Sequence, residues 1–309
     1  MKETFYPKKI SKEKVVLTSF LVNMSDVFIN LFAAVLSGSV VMLTQAIEGG
    51  ADLLASGFLI LGLRRAKLPS DKKHPFGYGR EIYFWTFLSA LATFGITAIA
   101  SFYLGFERFL NPQEISSLNL TLFILTFSVI TNGYSMSLSF KRLLGKNSYS
   151  KILQIFGNSA LIETKTTFIL DLIGTLASIL GLFALLVYKF TGDLRFDGLG
   201  AMAIGVTLAF LAAFIIKGAK DLLVGQSAGE EIEAKIMEAT LSFPQVKKVL
   251  DLRTLNIGTE RLLINIEVHL SDFLTTDEIE MLIDRIEGEI KKEVPSASNI
   301  QIELETPDI

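Results

Sequence analysis

The stretch Val40-Val41-Met42-Leu43-Thr44-Gln45-Ala46-Ile47-Glu48-Gly49-Gly50-Ala51-Asp52-Leu53-Leu54-Ala55 decides the fold. It reads as a membrane span running on to the basic pair Arg64-Arg65, yet it carries two carboxylates. Glu48 and Asp52 are four residues apart, so a helix places them on one face in successive turns. An acid in hydrocarbon costs about 2.5–3.5 kcal/mol on insertion scales, so an ionisable residue there points to function. A second apolar stretch repeats the spacing with Glu163, Thr167 and Asp171. Two acidic stripes in two spans point to a cation site, where oxygen ligands replace part of the ion's hydration shell. Lys165 is two residues from Thr167 and falls on roughly the opposite face. It is expected to snorkel toward the cytoplasm or to meet another helix.

Around these stretches the composition sets the class. Of 309 residues half are hydrophobic, with 24 Phe and one Trp, and the mean hydropathy is +0.47. That is too apolar for a soluble globular chain and too long for one core, so a membrane domain with a soluble part is expected. The net charge of −3 argues against nucleic-acid binding. With no cysteine, disulfides and thiolate metal sites are excluded.

Six apolar stretches are long enough to cross a bilayer, near Val15–Leu36, Val40–Leu63, Ile82–Phe106, Leu118–Leu138, Ser159–Tyr188 and Gly198–Ile216. Lysines 2, 8, 9, 12 and 14 precede the first, which is expected to stay as an anchor without cleavage. Arg64, Arg65, Lys67, Lys72, Lys73 and Arg80 fall between the second and third spans, and Lys141, Arg142, Lys146 and Lys151 between the fourth and fifth. The opposite loops hold only Arg108, Lys189 and Arg195. The positive-inside rule then predicts a multi-pass protein of the cell membrane with both termini cytoplasmic. The expected division is a transmembrane domain over 1–218 and a cytoplasmic domain over 219–309.

After Lys217 the pattern is that of a soluble α+β domain. Glu230–Leu241 predicts an amphipathic helix, Val249–Asn256 and Leu262–Leu270 strands, Asp277–Glu293 a helix, and Asn299–Glu305 a half-buried strand. Asn256-Ile257-Gly258-Thr259 is the expected hairpin turn. The whole fold class is thus an α-helical membrane protein of six transmembrane helices with a small α+β, ferredoxin-like tail.

Other residues hold smaller expectations. Asn23, Asp26 and Asn30 form a polar stripe on the first span, either lining a cation path or packing on polar neighbours. Gly49, Gly50 and Gly57 are expected to permit close helix approach. In the loop Asp71-Lys72-Lys73-His74-Pro75-Phe76-Gly77-Tyr78-Gly79-Arg80, Asp71 and His74 are a weak pair of metal ligands set among cations, and a structural loop is the favoured reading.

These residues together resemble the cation diffusion facilitators, a family of divalent-metal/proton antiporters, over essentially the whole chain. The resemblance lies in Ala46-x-Glu48-x-x-x-Asp52, in His74-Pro75-Phe76-Gly77-Tyr78-Gly79-Arg80 and in Thr167-x-x-x-Asp171. It continues in Asp197-Gly198-Leu199-Gly200 and Asp251-Leu252-Arg253-Thr254. The resemblance implies a transport site at Glu48, Asp52, Thr167 and Asp171, and a weak second metal site at Asp71 and His74. Relatives usually carry His or Asp at the first position of each pair, where this chain has Glu48 and Thr167. Tyr78 stands where a third loop ligand, often His, would be. In the tail, positions that hold His in zinc-binding relatives are Leu250, Glu267 and Glu303, with Glu305 keeping a carboxylate. A homodimer formed through the tail is also implied.

Carboxylates and a hydroxyl suit Mn²⁺, Mg²⁺ or Fe²⁺, whereas imidazole favours Zn²⁺, though Zn²⁺ also accepts carboxylates. Acids crowded in low dielectric titrate as a coupled set, so protons can take the place of a departing metal. The expected activity is therefore divalent cation efflux by cation/proton antiport through alternating access. The partners are the lipid bilayer, the cation and protons, with no cofactor beyond the cargo and no enzymatic reaction. The rival reading is a transport-inactive regulatory or scaffold protein of the same fold. An intramembrane aspartyl protease is disfavoured, because Gly49-Gly50-Ala51-Asp52 lacks the Gly-x-Gly-Asp motif of that class.

Overall fold

The computed structural model describes residues 12–145 and 162–306. The lysines before residue 12, Lys146, Lys151 and the start of the fifth apolar stretch lie outside that range. Among the described residues six helices come first: α1 (Lys12–Ser37), α2 (Val40–Arg65), α3 (Glu81–Leu110), α4 (Leu118–Leu144), α5 (Ile162–Thr191) and α6 (Arg195–Val224). Five of these, α2 through α6 over their described residues, are long and apolar enough to cross a membrane. In α1 the described side chains form a shorter apolar helix, Asn23–Ser37. The helices outrun the stretches marked by hydropathy, since backbone hydrogen bonding continues into charged ends such as Arg65 and Lys217. A π-helical turn, Thr93–Ala98, interrupts α3.

The helical unit takes in α1, α2 to Arg64, α3 from Phe84, α4, α5 and α6 to Lys220. One end of it is fastened by Asp197, which is fully buried in the first turn of α6. Its carboxylate accepts from Ser39 Oγ at 2.6 Å, from the backbone amides of Val40 at 2.9 Å and Val41 at 3.1 Å, and from Arg108 Nε at 2.9 Å. Arg108 also donates to Gln113 Oε1 at 2.7 Å and to the Gly38 carbonyl. A carboxylate on the first amides of α2 caps that helix and suits the positive end of its dipole. The arrangement ties the α1–α2 connection, the end of α3 and the start of α6 to one buried ion pair. Arg108 therefore acts as a structural residue as well as a loop charge.

Of the three glycines in α2 expected at close helix approaches, only Gly49 meets a neighbour: a Cβ there would lie 2.9 Å from Val27 Cγ2 on α1. Gly50 and Gly57 face open space. The polar stripe of α1 therefore lies against α2 at the level of Glu48.

The second unit contains the segment Arg65–Tyr83 and the chain from Asp221 onward. Its elements are α7 (Glu230–Leu241), β1 (Val246–Gly258), β2 (Arg261–Leu270), α8 (Thr276–Glu293) and β3 (Ala297–Leu304). The strands form one sheet in the order β1-β2-β3, antiparallel between β1 and β2 and parallel between β2 and β3. Central β2 alternates as a half-buried strand does, burying Leu262, Ile264, Ile266 and Val268. They pack in one core with Ile236 of α7 and Leu282, Ile286 and Ile290 of α8, the last three spaced by four along one helix face. The hairpin turn falls two residues later than the sequence suggests. Gly258 still pairs with Arg261, so Thr259 and Glu260 make the turn, and Glu260 takes φ +55°.

Helix α8 starts in a capping box: Thr275 Oγ1 accepts from the Glu278 amide at 3.3 Å, and Glu278 Oε2 accepts from the Thr275 amide at 2.8 Å. The Thr275 amide and hydroxyl, both placed to donate to the Glu278 carboxylate, hold that carboxyl below its usual range. A depressed folded-state value means that this contribution is present above the ordinary glutamate pKa and is lost as pH falls through the lowered one. Thr275→Ala is expected to destabilise the α8 region by about 1 kcal/mol. Amide hydrogen exchange of α8 at pH 7 measures it, and unchanged protection would deny the cap its role.

Candidate cation site

Within the helical unit, α1, α2, α4 and α5 enclose a small cavity lined by Asn23, Asp26 and Asn30 of α1, by Gln45, Glu48, Gly49 and Asp52 of α2, by Asn132 of α4 and by Gly174 of α5. Its free volume is about 10 Å³ for the centre of a water molecule, room for one water or one ion stripped of its shell. Glu48 and Asp52 are 3% and 4% exposed, as helix spacing on one inward face requires. Three oxygens at this level, Glu48 Oε1, Asp52 Oδ1 and Asn30 Oδ1, are buried with no hydrogen-bond partner among the described residues. A buried acceptor left unsatisfied costs about 1–3 kcal/mol, more when charged. Such oxygens gathered around one cavity offer the acceptor chemistry that a cation requires.

The remaining acceptors are held by neutral donors. Asn132 Nδ2 donates to Asp26 Oδ2 at 2.8 Å, and Gln45 Nε2 donates to Glu48 Oε2 at 3.2 Å. Gln45 Oε1 in turn accepts from Ser178 Oγ of α5 at 3.0 Å, a hydroxyl also 2.9 Å from the Gly174 carbonyl. Asp171 is buried on α5 and accepts from two serines of α4, from Ser135 Oγ at 3.0 Å and from Ser139 Oγ. Asp52 lies within electrostatic reach of both Asp171 and Asp26, and Glu48 within reach of Asp52 and Asp26. The acids of the two stripes are thus within electrostatic reach of one another, with a third from α1, although Asp171 itself does not line the cavity.

Thr167 is buried one turn before Asp171 but does not line the cavity. The side chain of Glu163 lies outside the described part. Lys165 is also buried, which of its two expected placements excludes snorkelling to water and leaves a meeting with another helix. The α4 contribution escaped the sequence reading, although Ser128, Asn132, Ser135 and Ser139 make a buried polar stripe at helical spacing in an otherwise apolar span. Among the described residues, no three His, Asp or Glu side chains stand close enough to hold a metal in this arrangement.

Asp71 and His74 belong to the second unit. Asp71 Oδ1 accepts from the amides of Lys73 at 2.9 Å and His74 at 2.6 Å, and Oδ2 accepts from Tyr78 OH at 2.8 Å. The hydroxyl of Tyr78 and the His74 amide hold the Asp71 carboxyl below the usual range, and the same bond raises the Tyr78 phenol. Both carboxylate oxygens thus organise the turn. His74 Nδ1 is 3.5 Å from Asp71 Oδ1, with the imidazole and Tyr78 ring centres 4.2 Å apart. The loop is seated on the β1–β2 hairpin at Gly79, where any Cβ would run into the Ile257 carbonyl and lie 3.0 Å from Gly258 Cα. Arg80 Nη2 donates to the Leu223 carbonyl.

In the sheet, register aligns Asp251 with Glu267 and Glu267 with Glu303, so three acids stand abreast on adjacent strands. Like charges directly opposite weaken a sheet. The Asp251 carboxylate is paired at 2.6 Å with Arg253, and His269 Nδ1 is 3.3 Å from the Glu305 carbonyl.

The family described as "Cation efflux transmembrane domain" matches residues 16–224, and that described as "Cation efflux protein, cytoplasmic domain" matches residues 228–306. "Proton-coupled zinc antiporter SLC30A9, mitochondrial" of Homo sapiens is 23% identical over 94% of this chain and 58% of its own length. The Xenopus laevis protein of that name is 25% identical over 88% of this chain and 50% of its own length. The chain thus spans about half the length of these curated relatives. "Cation-efflux pump FieF" of Escherichia coli (strain K12 / DH10B) is 22% identical over 96% of this chain and 92% of its own length. Among solved structures, a MamM CTD in its nickel form matches with a TM-score of 0.24 and 16% identity, covering 26% of this chain and 100% of that one.

Proposed function

The chain belongs to the cation efflux family, and from that premise we propose that it exports a divalent metal cation across a membrane in exchange for protons. The observation that carries the reading is the cluster of buried oxygens of Glu48, Asp52 and Asn30 around one cavity, without hydrogen-bond partners among the described residues. Asp171, within reach of Asp52, is the second helix's arm of the site, and Thr167 one turn before it is the position where an ion would be met on its way to or from that arm. Oxygen donors alone favour Mn²⁺, Mg²⁺ or Fe²⁺, with Zn²⁺ accepted less readily than at an imidazole site. Alternating access would open the acids to each side in turn, with protons replacing the metal on the return. Asp71 and His74 are at most a weak accessory site, since the carboxylate is committed to its own loop.

The lysine and arginine asymmetry supports a cell-membrane protein with both termini cytoplasmic, divided into a transport domain over 1–218 and a regulatory domain over 219–309. The match of the tail to the family's cytoplasmic domain supports a homodimer. One observation favours the rival, transport-inactive reading: amides of Gln45 and Asn132 occupy two of the acids.

Uptake into everted membrane vesicles, compared across Zn²⁺, Mn²⁺, Fe²⁺, Co²⁺, Cd²⁺ and Mg²⁺, decides between them. Export requires uptake of at least one ion above vesicles lacking the protein; background uptake of all six would leave the inactive reading. Thr167→His adds a borderline-soft ligand and is expected to raise the ratio of Zn²⁺ to Mn²⁺ transport. An unchanged ratio would remove Thr167 from the ion's path.

A further inference from the structure

We propose that the side-chain amides of Asn132 and Gln45 are exchangeable stand-ins for the cation, holding the carboxylates of Asp26 and Glu48 until an arriving ion displaces them, so that Asp26 is a third carboxylate arm of the site. The proposal rests on the reading of this cavity as the cation site. An amide NH₂ presents partial positive charge to a carboxylate lone pair, the same position a metal would take. Asn132 does this to Asp26 at 2.8 Å and Gln45 to Glu48 at 3.2 Å. The orientation of Gln45 is set from its other end, because Ser178 Oγ lies 3.0 Å from Oε1 and so turns the NH₂ toward Glu48.

Each held acid sits beside oxygens that have no hydrogen-bond partner among the described residues, Glu48 Oε1, Asp52 Oδ1 and Asn30 Oδ1. The cavity admits one ion without its water shell. A hard divalent ion asks for several oxygens at about 2.0–2.6 Å from itself, and among the described residues no three acids stand close enough to meet one ion together. Capture therefore draws Asp26 and Glu48 inward and breaks both amide bonds. Of those bonds, Asn132–Asp26 joins α4 to α1, whereas Gln45–Glu48 lies within α2 and leaves the Ser178 contact to α5 in place. The ion-free and ion-bound arrangements consequently differ in which helices are tied together. A ligand shifts a conformational equilibrium only by such a difference in affinity between states.

The competition has a sign. Removing an amide strengthens ion binding, because one competitor is gone, and slows turnover, because the ion-free arrangement loses a bond. Removing the carboxylate at the other end of the same bond weakens ion binding. A merely structural hydrogen bond would move both partners' variants the same way.

The test is initial Mn²⁺ and Zn²⁺ uptake against concentration by the full chain in proteoliposomes. Asn132→Ala is expected to lower the half-saturating concentration about tenfold, the scale of one hydrogen bond to a charged group, and to lower the maximal rate. Asp26→Asn is expected to raise the half-saturating concentration. Ser178→Ala leaves the amide in place but frees it to turn, so it should shift as Asn132→Ala does, by less. A half-saturating concentration that is unchanged or raised in Asn132→Ala, or that moves the same way in Asp26→Asn, overturns the proposal. If Asn132→Ala does not survive purification, Ser178→Ala against Asp26→Asn decides by the same criterion. Asp52→Ala separates the two levels. Lost uptake there beside an unshifted Asn132→Ala sinks only the amide exchange, whereas persistent uptake in Asp52→Ala sinks the cation-site reading itself.

Discussion

Asp52→Ala should abolish metal transport while leaving the protein as stable as the wild type or slightly more so. Asp52 Oδ1 is buried without a hydrogen-bond partner among the described residues, so removing the side chain sacrifices little and relieves a desolvated group. Asp171→Ala should abolish transport too, but at a cost of about 1–3 kcal/mol, since it removes the acceptor of Ser135 and Ser139. The contrast separates a carboxylate kept for its cargo from one that also joins α4 to α5. Uptake measurements paired with melting temperatures in detergent read both. Wild-type uptake in Asp52→Ala would remove the four-residue pairs from the transport site. Equal melting temperatures for Asp171→Ala and wild type would deny the serine contacts any structural worth.

The second large effect is at the far end of α2. Asp197→Ala should destabilise the helical unit by about 3–5 kcal/mol, the range for breaking a buried ion pair from one side. It leaves the Arg108 guanidinium buried without its carboxylate and strips the cap from the Val40 and Val41 amides. Arg108→Met in the same background should recover part of the loss, because apolar replacement of both partners is often close to neutral. A melting temperature of Asp197→Ala within a degree of wild type would contradict the clasp, as would a double variant no better than the single.

Much of the architecture was legible because it follows from periodicity within one segment. Glu48 and Asp52 share a face by helix spacing alone. The order of α7, β1, β2, α8 and β3 follows from alternation and amphipathic pattern. Even the start of α8 is written in Thr275-x-x-Glu278. The turn between β1 and β2 was misplaced because Gly258 marks the end of pairing and not its corner; the positive φ is borne by Glu260.

The site was legible as acids and not as a coordination shell. Nothing local says that Asn132 meets Asp26, 106 residues away, or that Arg108 meets Asp197, 89 residues away. Neutral amides and hydroxyls in an apolar span give a weak signal, since each costs little to bury once bonded. Their positions at helical spacing in α4 become meaningful only when the facing helix is known. Thr167 shows the reverse case, a residue of the right type and spacing that does not reach the cavity wall.

The central claim is that buried carboxylates exchange a divalent cation for protons. It is tested most directly by reconstituting the full chain in liposomes with a trapped pH indicator and adding metal outside. Mn²⁺ addition is expected to drive metal inward and protons outward together, so that the lumen turns alkaline, and Asp52→Ala is expected to do neither. Metal entry with no proton movement would contradict antiport, and the absence of both from wild-type protein would contradict transport.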